Sequence, residues 1–112
     1  MRKTDKKRNN AIRKALTQAC ESALDSVEGF QWLTHKVNYQ NFPDSLVVIC
    51  VFSTDQHLED SQALSQLHTL VVGVLKDIDI RLPQPDKQIQ WDSEQACERE
   101  QGGNWSRRLA GH

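Results

Sequence analysis

The sequence predicts an α+β fold, a two-layer sandwich in which helices cover one face of a small, mainly antiparallel sheet. Two long stretches repeat their apolar residues with the period of a helix, and the stretches after them have the period or composition of strands. Turn-forming residues mark each change of period, which gives the order α-β-β-α-β-α. Because 112 residues can bury one core but not two, we expect a single domain over 1–112, with 1–10 as a flexible basic arm and 102–112 as a C-terminal tail.

The first helix is predicted over residues 5–28. Thr4 or Asp5 can cap its first turn, and Gly29 can end it in a left-handed conformation. Its apolar residues recur at the i, i+3, i+4 and i+7 spacing of a helix with one buried face, and they are Ile12, Ala15, Leu16, Ala19, Cys20, Ala23, Leu24 and Val27.

A hairpin is predicted to follow this helix. Residues 30–39 alternate between the two faces of a strand, with Phe30 and Trp32 on the same face. Residues 45–53 are apolar on both faces and rich in β-branched side chains, as is typical of a central strand. The turn-forming segment 41–44 joins the two strands.

The second half of the chain predicts one long helix, a strand and a short helix. Thr54 and Asp55 can cap a helix over roughly 56–77, whose apolar stripe packs on the sheet. Pro83 and Pro85 require an extended connection, and the short alternating segment 87–91 reads as an edge strand. The segment Asp92-Ser93 can cap a last helix over 94–101, which ends at Gly102-Gly103.

Charge is distributed unevenly along the chain. The first fourteen residues carry seven bases against one acid, a net charge of +6, whereas the remainder carries seven bases against fourteen acids, a net charge of −7. Such a basic segment is a candidate for contact with the phosphates of RNA or DNA, and the alternative is a solvated, solubilising end. The candidate nucleic-acid-binding residues are Arg2, Lys3, Lys6, Lys7, Arg8, Arg13 and Lys14.

Two tryptophans are candidates for contact with a protein partner. Trp105 follows an acidic helix and Gly-Gly, and it either anchors a partner or seals the edge of the core. Trp32 either takes part in an open aromatic platform or is buried in the core. Protein interaction or self-association, in which the basic end of one chain meets the acidic remainder of another, is therefore the alternative to nucleic-acid binding.

Catalysis is the third and least favoured alternative, after nucleic-acid binding and protein interaction. His35, Asp92 and Cys97 have the chemical types of a base, an orienting acid and a nucleophile, but their spacing does not show that they meet. The four histidines and three cysteines form no HxxxH or CxxC pair, and no GxGxxG or P-loop is present. The sequence therefore implies neither a metal ion nor a small-molecule cofactor, and it favours a non-enzymatic binding protein.

The sequence predicts a cytoplasmic protein. No apolar run reaches the length of a membrane span, and no apolar segment follows the basic residues as it would in a secretory signal. Three cysteines far apart in sequence cannot form a complete set of disulfides, which favours a reducing compartment.

Several stretches carry a resemblance to a known family. The segments RKTDKK, IRKALT, GFQWLTHKVNYQNFPDSL, VVICVF, DSEQACE and GGNW resemble a family of small proteobacterial proteins, some of which are labelled Fis-family transcriptional regulators. That label implies DNA binding through a C-terminal helix-turn-helix. The last thirty residues of this sequence, however, predict one short acidic helix and no second amphipathic helix that could serve for recognition.

Overall fold

The computed structural model describes residues 3–112, so Met1 and Arg2 lie outside the described part. The predicted α+β class and the order α-β-β-α-β-α are confirmed, with two short helices in addition. The helices are α1 (Lys3–Ser26), α2 (Ser61–Lys76), α3 (Pro85–Gln88), α4 (Glu94–Gln101) and α5 (Trp105–Ala110). The strands are β1 (Phe30–Lys36), β2 (Val47–Phe52) and β3 (Ile89–Ser93).

The three strands form one sheet in the order β1-β2-β3. The strand β2 is central, as predicted; it pairs with β1 in the antiparallel sense and with β3 in the parallel sense. The expected mainly antiparallel sheet is thus half parallel, because α2 returns the chain across the sheet before β3 begins, as a parallel connection requires. The predicted edge position of β3 is confirmed, and β1 forms the other edge.

A β-bulge near the start of β1 changes the predicted faces of this strand. The pairing shifts between Phe30, opposite Phe52, and Trp32, opposite Val51. The extra residue turns Phe30 into the core, where its ring meets that of Phe52 edge-on at 5.9 Å, and leaves Trp32 on the opposite face. The expected shared face of Phe30 and Trp32 is therefore wrong.

The main core lies between the sheet and the two long helices. One buried face of α1, which includes Ile12 and Leu16, and one of α2, which includes Leu67 and Leu75, pack with the same face of the sheet. Leu24 was expected on the buried stripe of α1, but its side chain is 53% exposed because it lies on the outward side of the helix near its end. The sheet contributes Val48, Cys50, Phe52 and Ile89 to this core.

The C-terminal segment covers the other face of the sheet, so helices lie on both faces. Ile49 and Val51 point to this second face and are fully buried. The indole of Trp105 packs there against that of Trp32, and the Lys36 ammonium donates to the carbonyl oxygen of Leu109 at 2.8 Å. The predicted tail over 102–112 is thus largely a helix that folds back on the domain.

Most differences from the predicted boundaries have local causes. The helix α1 begins at Lys3 instead of residue 5, so it includes residues 3–10 of the predicted basic arm, whose flexibility stays a prediction. Residues 55–59 form a separate 3₁₀ turn, and Asp60, whose carboxylate accepts from the amide of Ala63, caps α2 instead of Thr54 or Asp55. The helix α3 takes Pro85 at its first position, which delays the third strand to Ile89.

Gly29 occupies a position that requires glycine. Its φ is 81°, in the left-handed region, and the His57 ring lies where a β-carbon would stand. The turn between α1 and β1 therefore combines a backbone constraint with close packing, and it fixes the angle at which β1 leaves the helix.

Candidate functional site

Five bases form one exposed face of α1, which we call the basic face. With about 3.6 residues per turn, they fall within roughly a third of the helix circumference, directly opposite the buried residues. None of the five forms an ion pair with any residue in the range 3–112. The basic face consists of Lys3, Lys6, Lys7, Arg13 and Lys14.

The other predicted bases are placed differently. Arg2 lies outside the described residues. Arg8 is half-buried on the flank of α1, where its guanidinium stands 4.5 Å from the centre of the Phe42 ring. Arg8 therefore attaches the helix to the loop after β1, and it is not part of the basic face.

The acid among the first fourteen residues points away from the basic face. Asp5 lies on the side of α1 that faces Tyr39, whose hydroxyl donates to the Asn9 side chain at 3.0 Å. Burial, and to a smaller extent the Asp5 carboxylate, raises the pKa of Tyr39. The Asp5 carboxylate thus lies off the basic face, and the acids Glu21 and Asp25 come only in the last turns of α1.

A groove of about 280 Å³ runs between α1 and β1, next to the basic face. Its lining includes Leu33 and His35, which point toward α1, and Thr34, which points to the other face of the sheet. The groove thus touches side chains on both faces of β1. Because β2 pairs with the inner edge of β1, such a groove must run along the outer edge of the strand. Arg13 belongs both to this groove and to the basic face.

His35 is half-buried in this groove. Burial, and to a smaller extent the charge of Arg13, lowers the pKa of His35 below its ordinary value. The imidazole is therefore uncharged near neutral pH and offers an aromatic ring with one donor and one acceptor nitrogen.

The two candidate tryptophans contact each other. Their ring centres lie 4.7 Å apart in an edge-to-face arrangement. Both indoles donate to the carboxylate of Glu94, from Trp32 at 2.5 Å and from Trp105 at 2.9 Å. The partner-binding role of Trp32 and Trp105 stays a prediction, and a partner would have to contact them as this joined pair.

A buried ionic cluster, which the sequence did not reveal, holds α5 on the sheet. The Asp92 carboxylate is 4% exposed and receives two hydrogen bonds from Arg108, at 2.6 and 2.8 Å. The His112 imidazole lies 2.6 Å from the same carboxylate. Burial raises the pKa of Asp92, but the hydrogen bonds from Arg108, His112 and the amide of Ser93 outweigh burial and leave the pKa below its ordinary value.

The structure does not bring His35, Asp92 and Cys97 together. His35 and Asp92 lie on opposite faces of the sheet, and Cys97 is fully buried on α4. Burial raises the pKa of the Cys97 thiol, and it raises that of Cys50 to about 12, so both thiols stay protonated near neutral pH. The buried Asp92 instead forms an ion pair with Arg108, which lies sixteen residues later in the sequence.

The short pair α4 and α5 resembles a helix-turn-helix in connectivity, but its second helix is turned inward. Trp105 and Arg108 bond to Glu94 and Asp92, so the exposed surface of this six-residue helix is limited to Ser106, Arg107 and Ala110. Nucleic-acid binding by the bases of α1 stays a prediction.

Comparisons of the chain with protein-family models, curated proteins and solved structures find no match. In the described range 3–112, no helix has the length and apolar composition needed to cross a membrane. Within the same range, no group of three or more His, Cys, Asp or Glu side chains is placed to hold a metal ion.

Proposed function

We propose that the protein is a cytoplasmic, non-enzymatic binding protein that contacts the phosphate backbone of nucleic acid through the basic face of α1. The observation that supports this function is five exposed bases on one helix face, free of acidic partners among residues 3–112. Cations near a helix N-terminus oppose the helix dipole, and a phosphate brought to them would relieve that cost.

The length of the basic face matches a short stretch of backbone. From Lys3 to Lys14 the helix rises by roughly 17 Å at 1.5 Å per residue. Phosphates of one strand rise by about 3.4 Å each along the axis of a duplex, so an α1 aligned with that axis lies beside about five of them. Five bases facing about five phosphates predict binding without strong sequence preference and with steep salt dependence.

The triple variant Lys6→Glu/Lys7→Glu/Lys14→Glu is expected to weaken binding by about 10²–10³-fold near 50 mM salt, because about three phosphate contacts are lost. The wild-type slope of log affinity against log salt is expected near −4 to −5 for duplex DNA and about −3.5 for a single strand. Fluorescence anisotropy with labelled RNA and DNA measures both quantities.

The matched control for this experiment reverses three exposed bases elsewhere on the surface. The variant Lys76→Glu/Arg81→Glu/Lys87→Glu makes the same change in net charge but leaves α1 intact. It should bind much more tightly than the α1 variant. Equal loss in both variants, or no salt-sensitive binding by the wild type, would contradict the proposed function.

Self-association is the second candidate function, and the end of α1 supports it. Leu24 is exposed between the acids Glu21 and Asp25, whereas the basic face occupies the first turns. A second chain lying antiparallel to α1 would bring opposite charges together and cover Leu24. Light scattering at low salt should then give twice the chain mass of 12.8 kDa, and Leu24→Glu should restore the monomer. A monomer at every concentration and salt would exclude this candidate.

A further inference from the structure

We propose that the groove along the outer edge of β1 binds one unpaired base of a single-stranded nucleic acid whose backbone lies on the basic face. This inference rests on the proposed function and adds the class of nucleic acid, since a base that is stacked and paired in a duplex is not free to enter. Arg13 connects the two sites because it lines the groove and also belongs to the basic face.

The size and floor of the groove suit a small flat group. Its volume of about 280 Å³ is just below the usual range for drug-sized ligands, which is a suitable size for one base. Leu16 and Leu33 supply apolar surface within it, and Cys20 lies beside them, half-buried. A nucleobase has two apolar faces and a polar rim, which matches an apolar floor beneath polar walls.

The walls of the groove supply the interactions that proteins use for unpaired bases. The neutral ring of His35 and the planar guanidinium of Arg13 are stacking surfaces. Because the imidazole is uncharged near neutral pH, its ring stacks on the base without adding a second cation to the groove.

Glu21 gives the groove a preference among bases. Its carboxylate is an acceptor only, so it favours a base whose rim carries an amino group, as adenine and cytosine do, over uracil. The outer edge of β1 has no strand beside it among residues 3–112, so its peptide groups are also open to the rim of a base.

The competing occupant is an extended peptide that pairs with β1 as a fourth strand. The same open edge would accept its main chain, but a peptide has no need of the basic face next to the groove. The shared position of Arg13 therefore favours the nucleic acid, and the following experiment separates the two.

The test compares labelled single strands of equal length that differ only in their bases. Fluorescence anisotropy is measured with oligo(A), oligo(C), oligo(U) and an otherwise identical strand with abasic central positions, and with duplex DNA, at two salt concentrations. The intact A and C strands should bind about five- to a hundredfold more tightly than the abasic strand, the range expected for stacking of one base. Oligo(U) should bind more weakly than oligo(A) and oligo(C).

Substitutions at two residues locate this preference in the groove. His35→Leu should bring the ratio of intact to abasic affinity close to one, whereas His35→Phe, which keeps a ring, should retain most of it. Glu21→Gln, on the exposed surface of α1, should reduce the discrimination between oligo(A) and oligo(U) without lowering affinity for the abasic strand. Neither change should alter the salt slope by more than about one, because the basic face is untouched.

The outcomes for the two proposals are distinct. Salt-sensitive binding with equal affinity for intact and abasic strands would overturn the base-binding groove and leave the phosphate contact in place. A base preference that survives both His35→Leu and Glu21→Gln would mean that the base binds outside the groove, and it would likewise overturn this proposal. Absence of salt-sensitive binding to every strand would overturn the proposed function and the groove together, and would leave the peptide as the occupant to test.

Discussion

Replacing Asp92 with alanine is expected to lower the free energy of unfolding by about 3–5 kcal/mol, the usual cost of removing one partner from a buried ion pair. The Asp92 carboxylate is 4% exposed and the Arg108 side chain 15% exposed, so the guanidinium, which keeps its contacts with Glu100 and Gln101, recovers little hydration in place of the two lost hydrogen bonds. His112 loses its contact with the same carboxylate. Denaturant unfolding followed by far-UV circular dichroism measures the loss.

The same variant should loosen α5 before the whole domain unfolds. The remaining attachments of α5 are the indole pair with its Glu94 acceptor, the bonds from Lys36, and the contacts of Arg108 with Gln101, Glu100 and the carbonyl oxygen of Ala96. Trypsin is therefore expected to cleave faster after Arg107 and Arg108, and the summed tryptophan emission should shift toward that of a solvated indole as Trp105 and its partner Trp32 become exposed. Unchanged cleavage at these two bonds would show that the Asp92 cluster does not hold α5.

A double variant separates two contributions to the free energy of unfolding: the cost of leaving one charge unpaired and the net stabilisation by the Asp92–Arg108 pair. When Asp92→Leu is combined with Arg108→Leu, neither member of this buried pair remains without the other, so the double variant should be more stable than Asp92→Ala. A double variant as unstable as the single one would instead show that the ionic geometry itself holds the segment in place.

Acid should release α5 through the same carboxylate. Because the pKa of Asp92 in the folded protein lies below its ordinary value, its contribution to stability is complete above the ordinary carboxyl pKa of about 3.9. That contribution is lost as the pH falls through the lowered pKa of the folded state. The melting temperature of the wild type should therefore fall below about pH 4 more steeply than that of the Asp92→Leu/Arg108→Leu variant.

The parts of the fold that were predicted correctly are those encoded by short-range periodicity. The apolar repeat of α1 and α2 and the two-sided apolar character of β2 are each visible within one segment. The basic face follows from the same reasoning, because the helical period that buries Ile12 and Leu16 also directs the bases outward. These features needed no knowledge of which segments meet.

The features that were missed depend on contacts between distant residues. The bulge after Phe30 has no local signature, since it is decided by how β1 aligns with β2. The pairing of Asp92 with Arg108 joins a strand end to a six-residue helix that is too short to be stable alone. The groove likewise exists only because α1 crosses the outer edge of β1, so its lining could not be assembled from the sequence.

The core and the basic face should respond independently to mutation. The basic face needs α1 to be docked, but none of its side chains takes part in the core, so folded protein with a weakened core should keep its affinity for nucleic acid. Any loss of nucleic-acid binding in a core variant should therefore equal the fraction of the protein that is unfolded.

Phe52→Ala tests this independence and should have the largest effect on the core. Phe52 is fully buried at the end of the central strand, with its ring centre 5.9 Å from that of Phe30 and 6.4 Å from that of Trp91. Truncating it leaves a cavity among rings that cannot collapse freely, which costs about 3–5 kcal/mol. For a domain of this size, each kcal/mol lowers the melting temperature by about 4 °C, so a fall of roughly 12–20 °C is expected by calorimetry.

Phe52→Leu is the matched control, since it keeps most of the apolar volume and should cost clearly less than alanine. Well below its melting temperature, Phe52→Ala should bind labelled single strands with wild-type affinity and salt slope, because the five bases of the basic face stay in place. A marked loss of affinity in fully folded Phe52→Ala would mean that the binding surface depends on the packing beneath the sheet, and it would contradict a site made by the exposed side of α1 alone.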